Sequence, residues 1–292
     1  MTDYDASALP DLTDRTIVIT GASSGIGRAT AAAFARAGAH VVLAVRDTTK
    51  GRAVASTLTG SVEVRPLDLA DLGSVRSFAE QWTGPIDVLV ANAGVSARSL
   101  TRTADGFELD FGTNHLGHFA LTTLLLPRVR DRVVVVASQA ERAARLDLDD
   151  PNWERRPYRS SRAYNDSKLA NLLFVAELQR RLSTAGSTVR VLAAHPGLVT
   201  TSIYDLPDGA RPGIWDHLLP RLGQDADQGA LPTLYAATED LPGDTFVGPQ
   251  HLMHMRGGAQ VIGRSRRAGD RELAARLWDV SERLTGITAP VA

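Results

Sequence analysis

Short apolar runs and stretches of helix-spaced apolar positions take turns along most of the chain. TIVIT (16–20) is a β-branched run that ends at Gly21, and IGRATAAAFARAGA (26–39) follows with small apolar residues at helical spacing up to Gly38. The exchange repeats. Strands are predicted at 40–45, 62–67, 86–91, 132–138 and 188–194, and helices at 51–58, 71–82, 106–127 and 162–185. Most strand segments, such as HVVLAV and RVVVVAS, are apolar throughout rather than alternating. Strands of that kind are buried on both faces, so the pattern predicts an α/β fold: a doubly wound parallel sheet with helices on both sides. No repeat or long linker interrupts it, so residues 12–292 read as one domain after a loose leader at 1–11. Beyond 195 the texture changes. The segment 201–223 is rich in Pro, Gly and large apolar residues, and it reads as an apolar lid over a substrate. Helices near 225–239 and 269–284 complete the chain.

Composition narrows the function. The formal net charge is −1, which argues against a general nucleic-acid or anionic-membrane partner. With no cysteine there is no disulfide, no Cys-based zinc site and no Cys nucleophile. The acidic N-terminus lacks the apolar core of a signal peptide, and runs such as VVVVA are far too short to span a bilayer. The expectation is a cytoplasmic protein. His115, His118 and His195 have no metal-ligand spacing, so no metal is expected.

Candidate chemistry gathers where the alternation places strand ends, the usual ligand edge of an open α/β sheet. Gly21, Gly25 and Gly27 lie between the first strand and the first helix in TGASSGIG. Glycines there allow a tight turn and let backbone N–H groups and the helix N-terminus approach a pyrophosphate. The missing GK[ST] rules out a phosphate-transfer P-loop. After the second strand comes Arg46, with no acid at 43–45, which favours a ribose 2′-phosphate and hence NADP (NADPH) in preference to NAD. Asp47 is the rival: turned toward the ribose, it would favour NAD. Asp68 and Leu69 follow the third strand, and Asn92, Ala93 and Gly94 follow the fourth.

Tyr164 and Lys168 share a helix face at i and i+4. Lys168 and Lys50 are the only lysines among 32 basic residues. A phenol works as a proton donor and acceptor only if its pKa falls well below about 10. An ammonium at about 4 Å supplies roughly 4 kcal/mol toward that at an effective dielectric of about 20. Its three donors also suit ribose hydroxyls better than the planar fork of arginine.

Together TGASSGIG, NAG (92–94), Asn114 in FGTNHLGHF, Ser138, YNDSK (164–168) and HPGLVTT (195–201) resemble the short-chain dehydrogenase/reductase family over about residues 14–200. AVRD, NHLGHFALT and SKLANLLF are most similar to its retinol-dehydrogenase-like branch. The resemblance implies a single Rossmann-type domain with a seven-stranded parallel sheet. It also implies roles. Tyr164 is the general acid in carbonyl reduction and the base in alcohol oxidation, and it also borders the bound cofactor. Ser138 hydrogen-bonds the substrate oxygen, Lys168 holds the nicotinamide ribose and lowers the Tyr164 pKa, and Asn114 anchors a water in a proton relay. Gly21, Ser23, Ser24, Gly25, Ile26 and Gly27 line the pyrophosphate and ribose. Asp68 and Leu69 meet the adenine, with Asn92, Ala93 and Gly94 beside the cofactor. Pro196, Gly197, Val199 and Thr201 flank the nicotinamide. Ser138 and Tyr164 stand about twice as far apart as in most members, and the extra stretch 139–161 reads as a loop at the active-site mouth. Many such relatives are dimers or tetramers, so a homo-oligomer is an open expectation. The expected activity is hydride transfer between NADP and a medium-to-large hydrophobic alcohol or carbonyl. The alternatives are an NAD-preferring enzyme of the same class and a dinucleotide-binding regulator without turnover.

Overall fold

A computed structural model describes residues 4–199 and 223–289. The expected lid at 201–223 therefore lies, apart from Gly223, outside the described residues, and so does Thr201. Strands β1 (Thr16–Thr20), β2 (His40–Val45), β3 (Ser61–Pro66), β4 (Ile86–Ala91), β5 (Val129–Val136), β6 (Arg190–Ala194), β7 (Phe246–Gly248) and β8 (Gln260–Val261) form one sheet in the order β3-β2-β1-β4-β5-β6-β7-β8. All neighbours pair in parallel except β7 and β8. The expected seven parallel strands are thus corrected to eight, the last of them antiparallel. The two extra-short strands span three and two residues, too few for any periodicity to register.

Continuous apolarity resolves into two faces once the pleat is applied. Val18, Leu89, Val133, Val135 and Val191 pack into one core layer, whereas Ile17, Ile19, Val88, Val90, Val134 and Leu192 pack into the other. Successive strand residues point to opposite sides, so a strand covered on both must be apolar at every position. Helices α1 (Gly25–Arg36) and α7 (Ala226–Thr238) pack together over the second layer. Helices α3 (Leu72–Glu80), α5 (Gly117–Leu125), α6 (Ser160–Thr184) and α8 (Arg271–Thr285) cover the first. At the chain's start, Tyr4 packs edge-on against Tyr235 of α7, with ring centres 4.9 Å apart.

The C-terminal helix α8 docks through one aromatic. Trp278 is buried and meets Phe119 and Phe174 at ring-centre distances of 5.1 and 6.0 Å. Removing so large a buried ring costs about 3–5 kcal/mol. Trp278→Ala is expected to lose that much in urea unfolding; a loss below about 1 kcal/mol would contradict this docking.

Two departures from the sequence reading matter for the site. The helix expected at 51–58 begins earlier, as α2 (Thr48–Ala55), because the Asp47 carboxylate accepts from the Lys50 amide and caps it. The single helix expected at 106–127 is broken into α4 (Leu109–Phe111), a π turn (Gly112–Leu116) and α5. The π turn centres on Asn114. One extra residue per turn leaves no trace in apolar spacing, and π turns commonly mark functional positions.

Candidate active site

Strand order reverses between β1 and β4, whose carboxyl ends carry Gly21 and the Asn92–Gly94 segment respectively. A cleft of about 330 Å³ opens there. Its floor is the turn from Gly21 to Gly27, with Ser23, Ser24, Gly25 and Ile26 all lining it. Gly21 has φ +68°, and a Cβ on it would stand 2.8 Å from Ala93 Cα. At Gly27 a Cβ would meet Asn92 Nδ2 at 2.5 Å and the Gly21 carbonyl at 2.6 Å. The glycines therefore let the β1 turn, the α1 helix and the β4 end close on one another. Ser24, at the N-cap of α1, makes no side-chain cap bond, and the first turn holds no acid. An uncapped helix N-terminus facing a cleft is suited to a pyrophosphate, so these residues fit a dinucleotide. Gly27→Ala is expected to abolish dinucleotide-dependent stabilisation in a thermal-shift assay, since backbone blocks any relaxation on one side. A normal shift would overturn this reading of the turn.

Arg46, Asp47 and Lys50 line one end of the cleft, with Asp68 and Leu69 nearby. The Asp47 carboxylate is committed to the Lys50 amide at 3.0 Å, with the Lys50 ammonium 3.9 Å away. Asp68 turns back on its own backbone and accepts from the Ala70 amide at 2.9 Å. Lys50 was not singled out from sequence, yet both lysines of the chain line this one cleft.

Tyr164, Lys168, Asn92, Ala93, Gly94 and Pro196 line the opposite part, together with Thr113, Val136 and Ala137. Tyr164 is half-buried on α6, and the Lys168 ammonium lies 5.5 Å from its ring centre. Lys168 is buried and donates to the Val136 carbonyl at 3.2 Å. Burial pushes its pKa down to about 8, against the pull of the Asp110 carboxylate. Asn114 is fully buried and holds Val95 from both sides: its Oδ1 accepts from the Val95 amide at 2.8 Å, and its Nδ2 donates to the Val95 carbonyl at 2.9 Å. Ser138 lies just beyond β5, next to Ala137 of the cleft lining, and its Oγ accepts from the Ala140 amide at 3.2 Å. An accepting hydroxyl keeps its own proton to donate. Gly197 and Val199 follow Pro196 along the chain. Gly197 has φ +78° beside the Met255 carbonyl, and Val199 is buried and bridged to Gln224.

A buried chain of polar groups runs from the end of β1 to Asn114. Thr20 Oγ1 accepts from the Asn92 and Ala93 amides, each at 2.9 Å, and lies 2.8 Å from His118 Nε2. His118 Nδ1 lies 3.0 Å from the Asn114 carbonyl, which can only accept, so Nδ1 carries the proton and Nε2 accepts from Thr20. Burial pushes the His118 pKa down to about 4, so the ring is neutral. His115 and His195 are likewise buried and pushed down to about 3. Thr20 and His118 were legible only as parts of TG and NHLGH, with no spacing to set them apart.

The 139–161 stretch is tied down by contacts of its own. Trp153 is buried under the Arg156 guanidinium, whose carbon is 3.8 Å from the ring centre. The Tyr158 hydroxyl donates to Glu108 Oε1 at 3.1 Å. Glu141 accepts from the Ser265 amide at 2.8 Å and fastens the stretch to the segment before α8.

Among the described residues no helix is long and apolar enough to cross a membrane. The profile of short chain dehydrogenases matches residues 15–206. Human retinol dehydrogenase 13 is 37% identical over 94% of this chain and 86% of its own length. Mouse retinol dehydrogenase 12 is 40% identical over 94% of this chain and 87% of its own. The crystal structure of an uncharacterized protein from Mycobacterium paratuberculosis superposes with a TM-score of 0.88 at 53% identity, covering 99% of this chain and 100% of that one. The chain therefore belongs to the short-chain dehydrogenase/reductase family, in its retinol-dehydrogenase-like branch, and is an NAD(P)-dependent oxidoreductase.

Proposed function

We propose that the protein is an NADP-dependent oxidoreductase for a medium-to-large hydrophobic alcohol/carbonyl pair, with Tyr164 as general acid and base. The observation that carries this reading is that Tyr164 and the buried Lys168 line the same cleft as the glycine turn. A nicotinamide dinucleotide bound in that cleft supplies the hydride. In carbonyl reduction Tyr164 Oη gives its proton to the substrate oxygen, which would otherwise carry the full negative charge. The Ser138 hydroxyl donates to that same oxygen and stabilises the growing charge. Lys168 holds ribose hydroxyls with its ammonium and favours the phenolate left on Tyr164. At a charge separation of about 4–6 Å and an effective dielectric of about 20, that attraction is worth roughly 3–4 kcal/mol. Asn114 keeps the Val95 segment in place beneath Lys168 and offers its carbonyl to a relay water. In alcohol oxidation the same groups run in reverse, with the Tyr164 phenolate taking the proton.

At the other end Arg46 and Lys50 bind the 2′-phosphate. Asp47 is occupied as the cap of α2, which supports NADP over NAD. Pro196, Gly197, Val199 and Thr201 flank the nicotinamide. Hydrophobic substrates are supported by the lid composition at 201–223 and by the retinol in the names of relatives at 37 and 40% identity. The reading includes a cytoplasmic location and a homo-oligomeric state. The test is NADPH consumption at 340 nm across a panel of aromatic ketones, long-chain and retinoid aldehydes, sugars and hydroxy acids. The apolar carbonyls are expected to turn over fastest; preference for sugars or hydroxy acids would overturn the substrate class.

A further inference from the structure

One turn before Asn114 lies a buried carboxylate that the reaction outlined above leaves without a task. Asp110 is fully buried on α4. One of its oxygens accepts from the Ala97 amide at 2.7 Å, while the other is buried with no hydrogen-bond partner. Asn114, one turn further on, grips Val95 in the same way, so the two side chains hold residues 95–97 together. A Cβ on Gly94 would lie 3.5 Å from both Asn114 Oδ1 and Lys168 Nζ. The ammonium therefore sits over the start of the segment that Asp110 and Asn114 hold.

We propose that Asp110 is a positioning residue that acts through Lys168: its carboxylate is the buried counter-charge that keeps the ammonium protonated inside the protein. This rests on the roles assigned above to Lys168 and Tyr164. Among the described residues Lys168 donates to the neutral carbonyl of Val136. Burial disfavours its charge, and the Asp110 carboxylate is the influence that opposes burial. The charged and titratable groups facing Asp110 come from three elements. Glu108 lies on its own segment and feels Arg102, Tyr158 reaches in from the 139–161 stretch, and Lys168 comes from α6. Glu108 is itself occupied by the amides of Asp110 and Phe111 and by the Tyr158 hydroxyl. Burial and the Glu108 carboxylate push the Asp110 pKa up to about 7, so its charge is present above neutrality and fades below it.

That gives a signature. Removing a nearby negative charge lowers the pKa of both an ammonium and a phenol. Carbonyl reduction needs Lys168 and Tyr164 protonated, so Asp110→Asn moves the alkaline limb of kcat/KM toward lower pH, by about one unit. Below about pH 6, where Asp110 is already neutral, the profiles of variant and wild type converge. Asparagine keeps an acceptor for the Ala97 amide. If Asp110→Asn does not fold, Asp110→Ser, which also presents an acceptor, takes its place. Tyr158→Phe is the control: it loosens the same cluster without removing the Asp110 charge, and its limb stays with wild type. A limb unmoved in folded Asp110→Asn, or moved equally in Tyr158→Phe, would overturn the proposal. Tyr164→Phe in the same assay separates the two readings. If it is inactive while the Asp110→Asn limb is unmoved, only the Asp110 role falls; if it is fully active, the assignment of Tyr164 falls as well.

Discussion

Tyr164→Phe is expected to lower turnover by about 10²–10⁴-fold, the usual worth of a positioned proton donor, while NADPH still binds. The substitution removes one oxygen and keeps the ring, so the contact of the ring with the Lys168 ammonium at 5.5 Å is retained. On the proposed reading, dinucleotide affinity comes mainly from the glycine turn, the uncapped N-terminus of α1 and the Lys168 ammonium, which the change leaves in place. Without the phenol, hydride arrival leaves an alkoxide that only Ser138 and solvent can meet. Stopped-flow oxidation of NADPH at 340 nm, with fluorescence titration of NADPH on the same sample, checks both halves. Full activity in the variant would remove Tyr164 from the chemistry; loss of binding along with turnover would recast it as a cofactor ligand.

The second large effect concerns the choice of dinucleotide. Arg46→Ala combined with Lys50→Ala is expected to lower kcat/KM for NADPH by about 10–100-fold and to leave NADH nearly unchanged. Charge-assisted hydrogen bonds to a phosphate contribute about 1.5–3 kcal/mol each, less for a side chain as exposed as Lys50. NADH has no 2′-phosphate and loses nothing. Asp47 complicates the picture only if it leaves its cap. Its pKa is held below the usual carboxylate range chiefly by the Lys50 amide, which also fixes where it points. Steady-state kinetics with both nucleotides checks the prediction. Equal losses for NADPH and NADH, or a wild-type preference for NADH, would contradict the 2′-phosphate assignment.

Much of this was readable in the sequence because the residues concerned obey local rules. Six strands were legible, most of them by continuous apolarity, and the pleat then divided Ile17 and Ile19 from Val18 without further information. The glycine turn and the Tyr164–Lys168 pair were legible because their spacing has a direct mechanical meaning. What escaped depended on contacts distant along the chain or on elements too short to be periodic. β7 and β8 span three and two residues. The π turn that carries Asn114 shifts a helix by one residue while apolar side chains remain on its buried side. Lys50 entered the cleft because Asp47 starts α2 earlier than its apolar pattern indicates. Nothing in its spacing sets Asp110 apart from other polar residues on a helix. Its weight comes from burial beside Glu108 and from the charge of Lys168, with Tyr158 of the 139–161 stretch bonded to Glu108.

The central claim is that a buried ammonium makes the Tyr164 phenol acidic enough to act near neutral pH. Its most direct test is an ultraviolet difference titration of tyrosinate in the NADP⁺ complex, wild type minus Tyr164→Phe, repeated in a Lys168→Met background. The account predicts that the Tyr164 phenolate forms well below the ordinary tyrosine range in wild type and returns to or above that range once Lys168 is gone. Ionisation at the same pH in both backgrounds would contradict it.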